Sequence, residues 1–399
     1  MDFTEHNLNK LVDYFRGGCT QEQKIGLELE HFVVDKETKE ALPYENGVED
    51  ILKELQPLYG KPILSQNRMV GIDREGTNIT LEPAAQLEIS IEACKTITEI
   101  QRIYEAFVEM IEPILHNRNC ELACFGYQPK SRVDNLMMIP KERYKFMDAH
   151  FKSTGAKGKN MMRGTASTQV TIDYEDEEDF KKKLRVANIL GPIFSLICDN
   201  AKIFEGKAFD GKMLRTTIWN DVDPDRSMII GGSLDKPFGF YEYAKYIYDS
   251  PPIILVKNGK TEYTGFKINS ELFSSVPLSH DDILHITSMV FPDVRIKQYV
   301  EIRMADSLPI HEALSYVAFI KGLLYNKPNL ETLHKLTTGI KNTDVAEAKT
   351  RLIKNGNNSI IYGKPCSQWI SELFELAENG TIDSEKCFLA PLQKRRDKE

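Results

Sequence analysis

Four segments of this chain alternate, residue by residue, between apolar side chains and carboxylates or amides. A strand of that pattern buries one face and commits the other to polar work. In the first, Glu28 and Glu30 share a face while Leu27, Leu29 and Val33 take the opposite one. In the second, Glu82, Gln86, Glu88 and Ser90 fall together with Leu87, Ile89 and Ile91 behind them, provided Pro83 adds no bulge. The third sets Thr165, Ser167, Gln169, Thr171 and Asp173 against Val170 and Ile172, and the fourth sets Glu301 and Arg303 against Val300, Ile302 and Met304. Period-two alternation of this kind predicts antiparallel strands.

An antiparallel sheet with one wet face is the plain explanation, and it needs no chemistry. Such a face ordinarily intersperses Lys and Thr among its acids, because like charges at close range repel. No basic residue stands between Glu28 and Glu30 or between Glu82 and Glu88. Something positive must then sit among them, and magnesium, a hard ion that takes oxygen ligands and bridges carboxylates to nucleotide phosphates, is the natural candidate. The pattern leaves both readings open and names no reaction.

Composition narrows the classes. With 51 basic and 59 acidic side chains in 399 residues, the formal charge of −8 gives no electrostatic reason to bind nucleic acid. No segment approaches the ~18 apolar residues of a membrane span, and the start Met1-Asp2-Phe3-Thr4-Glu5-His6 has no basic or apolar leader pattern, so a soluble cytoplasmic protein is expected. Cys19, Cys94, Cys120, Cys124, Cys198, Cys366 and Cys387 are an odd, scattered set and read as reduced thiols. Without linker or internal repeat, residues 1–399 read as a single domain whose portion 308–399 is mainly helical and packs on the rest.

Helices are expected from Thr4 to Phe15, from Thr98 with a capping box to Gln101, from the acids at 175–179 as far as an interruption at Pro192, and from Cys366 to Asn379 with Gly380 as cap. The tail Lys394-Arg395-Arg396-Asp397-Lys398-Glu399 reads as a frayed, solvated end.

Seven ordered motifs resemble the plant and bacterial branch of the glutamate–cysteine ligases. Gly26-Leu27-Glu28-Leu29-Glu30-His31-Phe32 is similar to that branch's first-strand Glu-x-Glu, and Leu81-Glu82-Pro83-Ala84-Ala85-Gln86-Leu87-Glu88-Ile89-Ser90 to its L-E-P-x-x-Q-x-E-x-S. Arg143-Tyr144-Lys145-Phe146-Met147, then Met161-Met162 and Gln169-Val170, follow in order. The stretch from Arg215 through Trp219, Asp221, Asp223 and Asp225 to Arg226, and Tyr299-Val300-Glu301-Ile302-Arg303-Met304-Ala305-Asp306, complete the set across residues 25–306. Leu27 and Leu29 stand where plant enzymes often have polar residues, and Arg163 sits one position earlier than an arginine of the plant motif.

The resemblance implies an α+β fold: a curved, mainly antiparallel sheet of about six strands, covered by helices as in the catalytic domain of glutamine synthetase. It implies an ATP-dependent ligase that joins glutamate to cysteine through a γ-glutamyl phosphate, the first step toward glutathione or a related thiol. Sequence agrees in lacking a phosphate-binding loop: Asn258-Gly259-Lys260-Thr261 has Ile254 where the earlier glycine belongs. ATP would then be held through two or more Mg²⁺ ions on Glu28, Glu30, Glu82, Glu88 and Glu301. By the same resemblance Arg143, Arg215 and Trp219 hold the glutamate, with Gln169 as a further substrate-side residue, and Arg303 neutralises the transferring phosphoryl group or meets a carboxylate. Asp221, Asp223 and Asp225 with Arg226 read as a structured loop beside the substrate. Tyr241, Tyr243, Tyr246 and Tyr248 read as packing or as pocket lining. The alternatives are a ligase of the same scaffold using another amine and a non-catalytic amino-acid or nucleotide sensor.

Overall fold

The computed structural model describes residues 2–257 and 260–396. Its centre is a nine-stranded sheet in which every pairing is antiparallel. The strands are β1 (Ile25–Asp35), β2 (Lys61–Ser65), β3 (Arg68–Arg74), β4 (Thr77–Leu81), β5 (Leu87–Cys94), β6 (Cys120–Ala123), β7 (Ser167–Ile172), β8 (Val294–Ile296) and β9 (Val300–Asp306). In space they run β8-β9-β7-β1-β5-β4-β3-β2, with β6 also paired to β1. The count exceeds the expected six because β2, β6 and β8 are short edge segments without an acidic alternation to mark them.

β1 is the axis of the sheet. It pairs with β5 along most of its length, with β7 over Ile25–Leu29, and with β6 over Phe32–Asp35. The change of partner falls at Glu30 and His31, which opens the sheet beside the Glu30 carboxylate.

The apolar face is closed by helices. Those at Glu49–Tyr59, Ile97–Asn117, Glu177–Ile197 and Ile310–Leu324 pack against strands of the sheet. Leu27, Leu29, Ile89, Val170, Ile172 and Ile302 are buried beneath them in an apolar cluster that extends from Leu11 to Leu392. Burial at ~25 cal/mol per Å² of apolar surface makes this the face that decides the register, since a one-residue slip would turn the acids into it.

Several boundaries differ from the sequence-based expectation for identifiable reasons. The 81–91 segment is not one strand: Leu81 ends β4, Leu87 begins β5, and residues 82–86 are the connecting turn. Ala85 has φ of 66° there, and Glu82 N–H donates to Gln86 O at 2.9 Å. The second helix is capped by Thr96, whose side chain accepts from Glu99 N–H while the Glu99 carboxylate answers the Thr96 N–H, two residues before the predicted cap. The helix from Glu177 passes through Pro192 to Ile197. Residues Ile189 to Ile197 are all buried, and that packing outweighs the roughly 3 kcal/mol penalty of an internal proline. The basic tail is docked as far as Arg395, whose guanidinium donates to Glu312 Oε2 and Asp199 O; residues 397–399 lie outside the described residues, as do Asn258 and Gly259. Among the described residues no two cysteines are joined in a disulfide. Among the described residues no helix is long and apolar enough to cross a membrane.

Candidate active site

The polar face of the sheet forms the floor of a cavity of about 270 Å³. Register sets its acids: Glu30 lies directly across from Glu88, and Glu28 across from Ser90 on one side and Gln169 on the other. Glu82 reaches the same space from the β4–β5 turn. That turn is fixed by Gln86, whose Oε1 accepts from Ala84 N–H at 2.9 Å and whose Nε2 donates to Thr165 O at 3.0 Å and Met162 O at 3.3 Å.

Helices supply the opposite wall. Arg143, Tyr144 and Met147 come from the helix Glu142–Phe151, Met161 and Met162 from Gly158–Gly164, and Arg215 and Trp219 from Leu214–Trp219. Arg215 and Trp219 are four residues apart and therefore share a helix face. The Arg215 guanidinium lies 5.7 Å from the Trp219 ring centre. Its Nη1 donates to both Arg303 O (3.0 Å) and Met304 O (3.3 Å). Successive carbonyls of a regular strand point in opposite directions; here a break in the β9–β7 register between Ile302 and Ala305 turns both toward one nitrogen. Arg143 Nε, Arg215 Nε and Trp219 Nε1 are buried without a hydrogen-bond partner.

Charge is segregated within the cavity. Glu301 takes both Nε (2.6 Å) and Nη2 (3.0 Å) of Arg295, Nη1 of Arg303 (2.7 Å), and lies 3.5 Å from Lys297 Nζ. Burial would raise its pKa, but those cations override it and hold the carboxyl well below the usual range. Among the described residues no cation lies within ion-pair distance of Glu28, Glu30, Glu82 or Glu88. Burial, and then the neighbouring carboxylates, push Glu28, Glu82 and Glu88 up to about 7. Glu30 is also raised by burial, opposed by Arg215 and by hydrogen bonds from Ser167 N–H (2.8 Å) and Ser167 Oγ (2.7 Å).

Nine of the ten residues singled out by sequence thus meet at one cavity: Glu28, Glu30, Glu82, Glu88, Arg143, Gln169, Arg215, Trp219 and Arg303. The tenth, Glu301, is adjacent but is the anchor for three cations. Gln169 bridges the two sets, its Oε1 accepting from Arg303 and its Nε2 donating to Glu30 Oε1 at 3.2 Å. Arg163 is turned away, tied to Leu136 O and Asp148. Asp223 and Arg226 form a buried cluster with His150, and Asp221 accepts from Ala156 N–H, so the loop is structural. Tyr243 and Tyr248 pack in the core, Tyr243 Oη accepting from Ile296 N–H, and none of the four tyrosines lines the cavity.

Arg295 and Lys297 escaped the sequence reading. Their signal was present in Val294-Arg295-Ile296-Lys297, which has the same alternation as the acidic segments with the opposite sign.

Among the described residues no three acidic, histidine or cysteine side chains are already gathered in a metal-holding cluster. The donor chemistry fits a hard divalent cation all the same: buried carboxylate oxygens, mutually repelling and without ion-pair partners.

An antiparallel sheet that turns acids and arginines into one buried cavity suits an enzyme that works by positioning charge around an anionic substrate. The model of glutamate–cysteine ligase family 2 matches residues 24–351, and the chain belongs to that family. Chloroplastic glutamate–cysteine ligase B of Oryza sativa subsp. japonica is 27% identical over 381 residues, covering 93% of this chain and 76% of the rice protein. The chloroplastic glutamate–cysteine ligase of Arabidopsis thaliana is 27% identical over 354 residues, covering 86% of this chain and 67% of its own. In fold, the chain is similar to the crystal structure of a Francisella tularensis glutamate–cysteine ligase in complex with AMP, at a TM-score of 0.57 and 10% identity over 95% of this chain and 82% of that one.

Proposed function

We propose that this chain is an ATP-dependent glutamate–cysteine ligase that activates the γ-carboxylate of glutamate as an acyl phosphate and passes it to the amine of cysteine. The observation that carries the reading is the segregated cavity: carboxylates without cationic partners on the floor, and Arg143, Arg215 and Trp219 with unpartnered buried N–H groups on the wall.

A carboxylate does not react with an amine in water, so it must first become a better electrophile. Glu28, Glu30, Glu82 and Glu88 would hold magnesium, which when bound supplies positive charge to the phosphate oxygens of ATP. Arg143 and Arg215 grip the α-carboxylate of glutamate through charge-assisted hydrogen bonds, and Trp219 closes the side of that grip. Arg303, oriented by Gln169 and Glu301, faces the charge that develops on the moving phosphoryl group. Met147, Met161, Met162 and Phe291 give the cavity a soft, apolar side that suits a thiol-bearing amine. We place the reaction in the cytoplasm, where cysteines without disulfide bonds are the expected state.

The test is a product assay with ATP, Mg²⁺, glutamate and a panel of amines. γ-Glutamylcysteine as the dominant product is expected; faster turnover with another amine would transfer the activity to a different ligase of the same scaffold.

A further inference from the structure

We propose that Lys297 is a catalytic residue that follows the phosphoryl group from ATP to glutamate. This rests on the ligase reading above and assigns a residue for which that reading has no role.

β8 is the outer strand of the sheet, with Val294 and Ile296 fully buried on one side and Arg295 opposite Glu301 on the other. Lys297 follows in the turn toward β9 and shares the parity of Arg295, and both line the cavity. Their donors are used differently. Arg295 has its charge paired and its plane fixed: Nε and Nη2 clasp the two oxygens of Glu301, and Nη1 donates to Val290 O at 3.3 Å. Arg303 commits Nη1 to Gln169 and Glu301. Lys297 commits one hydrogen bond, to Tyr299 Oη at 3.1 Å, and stands 3.5 Å from Glu301 Oε1, beyond hydrogen-bond length for an ammonium.

An ammonium has three N–H donors, so Lys297 keeps two for another partner. Its counter-charge is shared, because Glu301 is also clasped by two guanidiniums; Glu28 is a second carboxylate whose charge it feels. A partly buried cation with spare donors, on a flexible stem at the wall of the cavity, is matched by a mobile anion. In the reaction the bond from the γ-phosphorus to the β–γ bridging oxygen breaks, its electron pair leaving with ADP. A bond forms from that phosphorus to a γ-carboxylate oxygen of glutamate. No proton moves, and Lys297 shifts its donors from the nucleotide side to the glutamate side as the charge on the phosphoryl oxygens shifts.

The experiment compares the wild-type enzyme with Lys297→Met and Lys297→Arg, reading kcat, the KM values for ATP and glutamate, and the melting temperature. The inference predicts that Lys297→Met lowers kcat by about 100-fold or more while the glutamate KM stays within about threefold and the melting temperature is kept. Lys297→Arg, which preserves the charge, should recover part of the loss. Wild-type kcat in Lys297→Met, or a loss that appears only as a lower melting temperature or a higher glutamate KM, would overturn it. Absence of glutamate-dependent ATP cleavage in the wild-type enzyme would instead overturn the ligase reading itself.

Discussion

At the scale of single residues, the five glutamates are not equivalent, and their glutamine variants should separate. Glu30 accepts from three donors, Ser167 N–H, Ser167 Oγ and Gln169 Nε2. The backbone donor cannot turn to accept, so Glu30→Gln should lose turnover and also cost about 1–3 kcal/mol of stability, read by chemical denaturation. Among the described residues Glu88 accepts from the hydroxyls of Thr80 (3.0 Å) and Ser90 (3.1 Å), which can rotate to suit an amide. Glu88→Gln should therefore abolish activity while keeping, or at alkaline pH raising, the melting temperature. Glu301→Gln leaves Arg295 and Arg303 short of their counter-charge in a buried site, and should cost about 3–5 kcal/mol. If Glu301→Gln unfolds no more easily than Glu88→Gln, the division between anchor and open donor is wrong. For Arg215→Lys the expected change is a large rise in the glutamate KM, because an ammonium cannot keep both carbonyls of β9 and a carboxylate in one planar fork; an unchanged KM would dismiss that grip.

At the scale of elements, the strands were legible because burial of one face imposes period two on the sequence, and an acid has no place on the buried side. Glu28 and Glu30 are a direct reading of that rule. What the rule cannot carry is a turn: Glu82 and Gln86 have the parity of Glu88 yet belong to the connection between β4 and β5, where Pro83 and the left-handed Ala85 reverse the chain. Nor does it reveal partners across space. Glu301 and Arg303 are visible as a pair, but that Arg295 clasps Glu301 follows from the β8–β9 hairpin, not from local pattern. Helix caps show the same limit. The Thr98-to-Gln101 spacing fits a capping box, but the hydrogen bonds place the cap at Thr96. Thr96→Ala should cost about 1 kcal/mol in equilibrium denaturation and Thr98→Ala markedly less; the reverse order would contradict the cap.

At the scale of the whole molecule, the acid basin links stability to pH. A carboxyl whose folded pKa lies above its unfolded value binds its proton more tightly when folded. Its contribution is therefore complete below the ordinary value of 4.5 and is lost as pH rises through about 7, the value reached by Glu28, Glu82 and Glu88. Glu301, held well below the usual range, stays charged across that window and adds nothing to the slope. The ligand-free protein should accordingly melt at a lower temperature at pH 8 than at pH 5.5, with Glu28→Gln flattening the profile and Mg²⁺ with ATP restoring stability at the alkaline end. A profile that is flat or rising over this range would mean that the carboxylates are solvated or paired.

The central claim is that this cavity moves a phosphoryl group onto the side-chain carboxylate of glutamate before the amine attacks. Glutamate labelled with oxygen-18 in its γ-carboxylate, supplied with ATP, Mg²⁺ and cysteine, tests it directly by mass spectrometry of the phosphate released. The account predicts one labelled oxygen in each phosphate formed per γ-glutamylcysteine. Phosphate released without label while the peptide bond forms would contradict it.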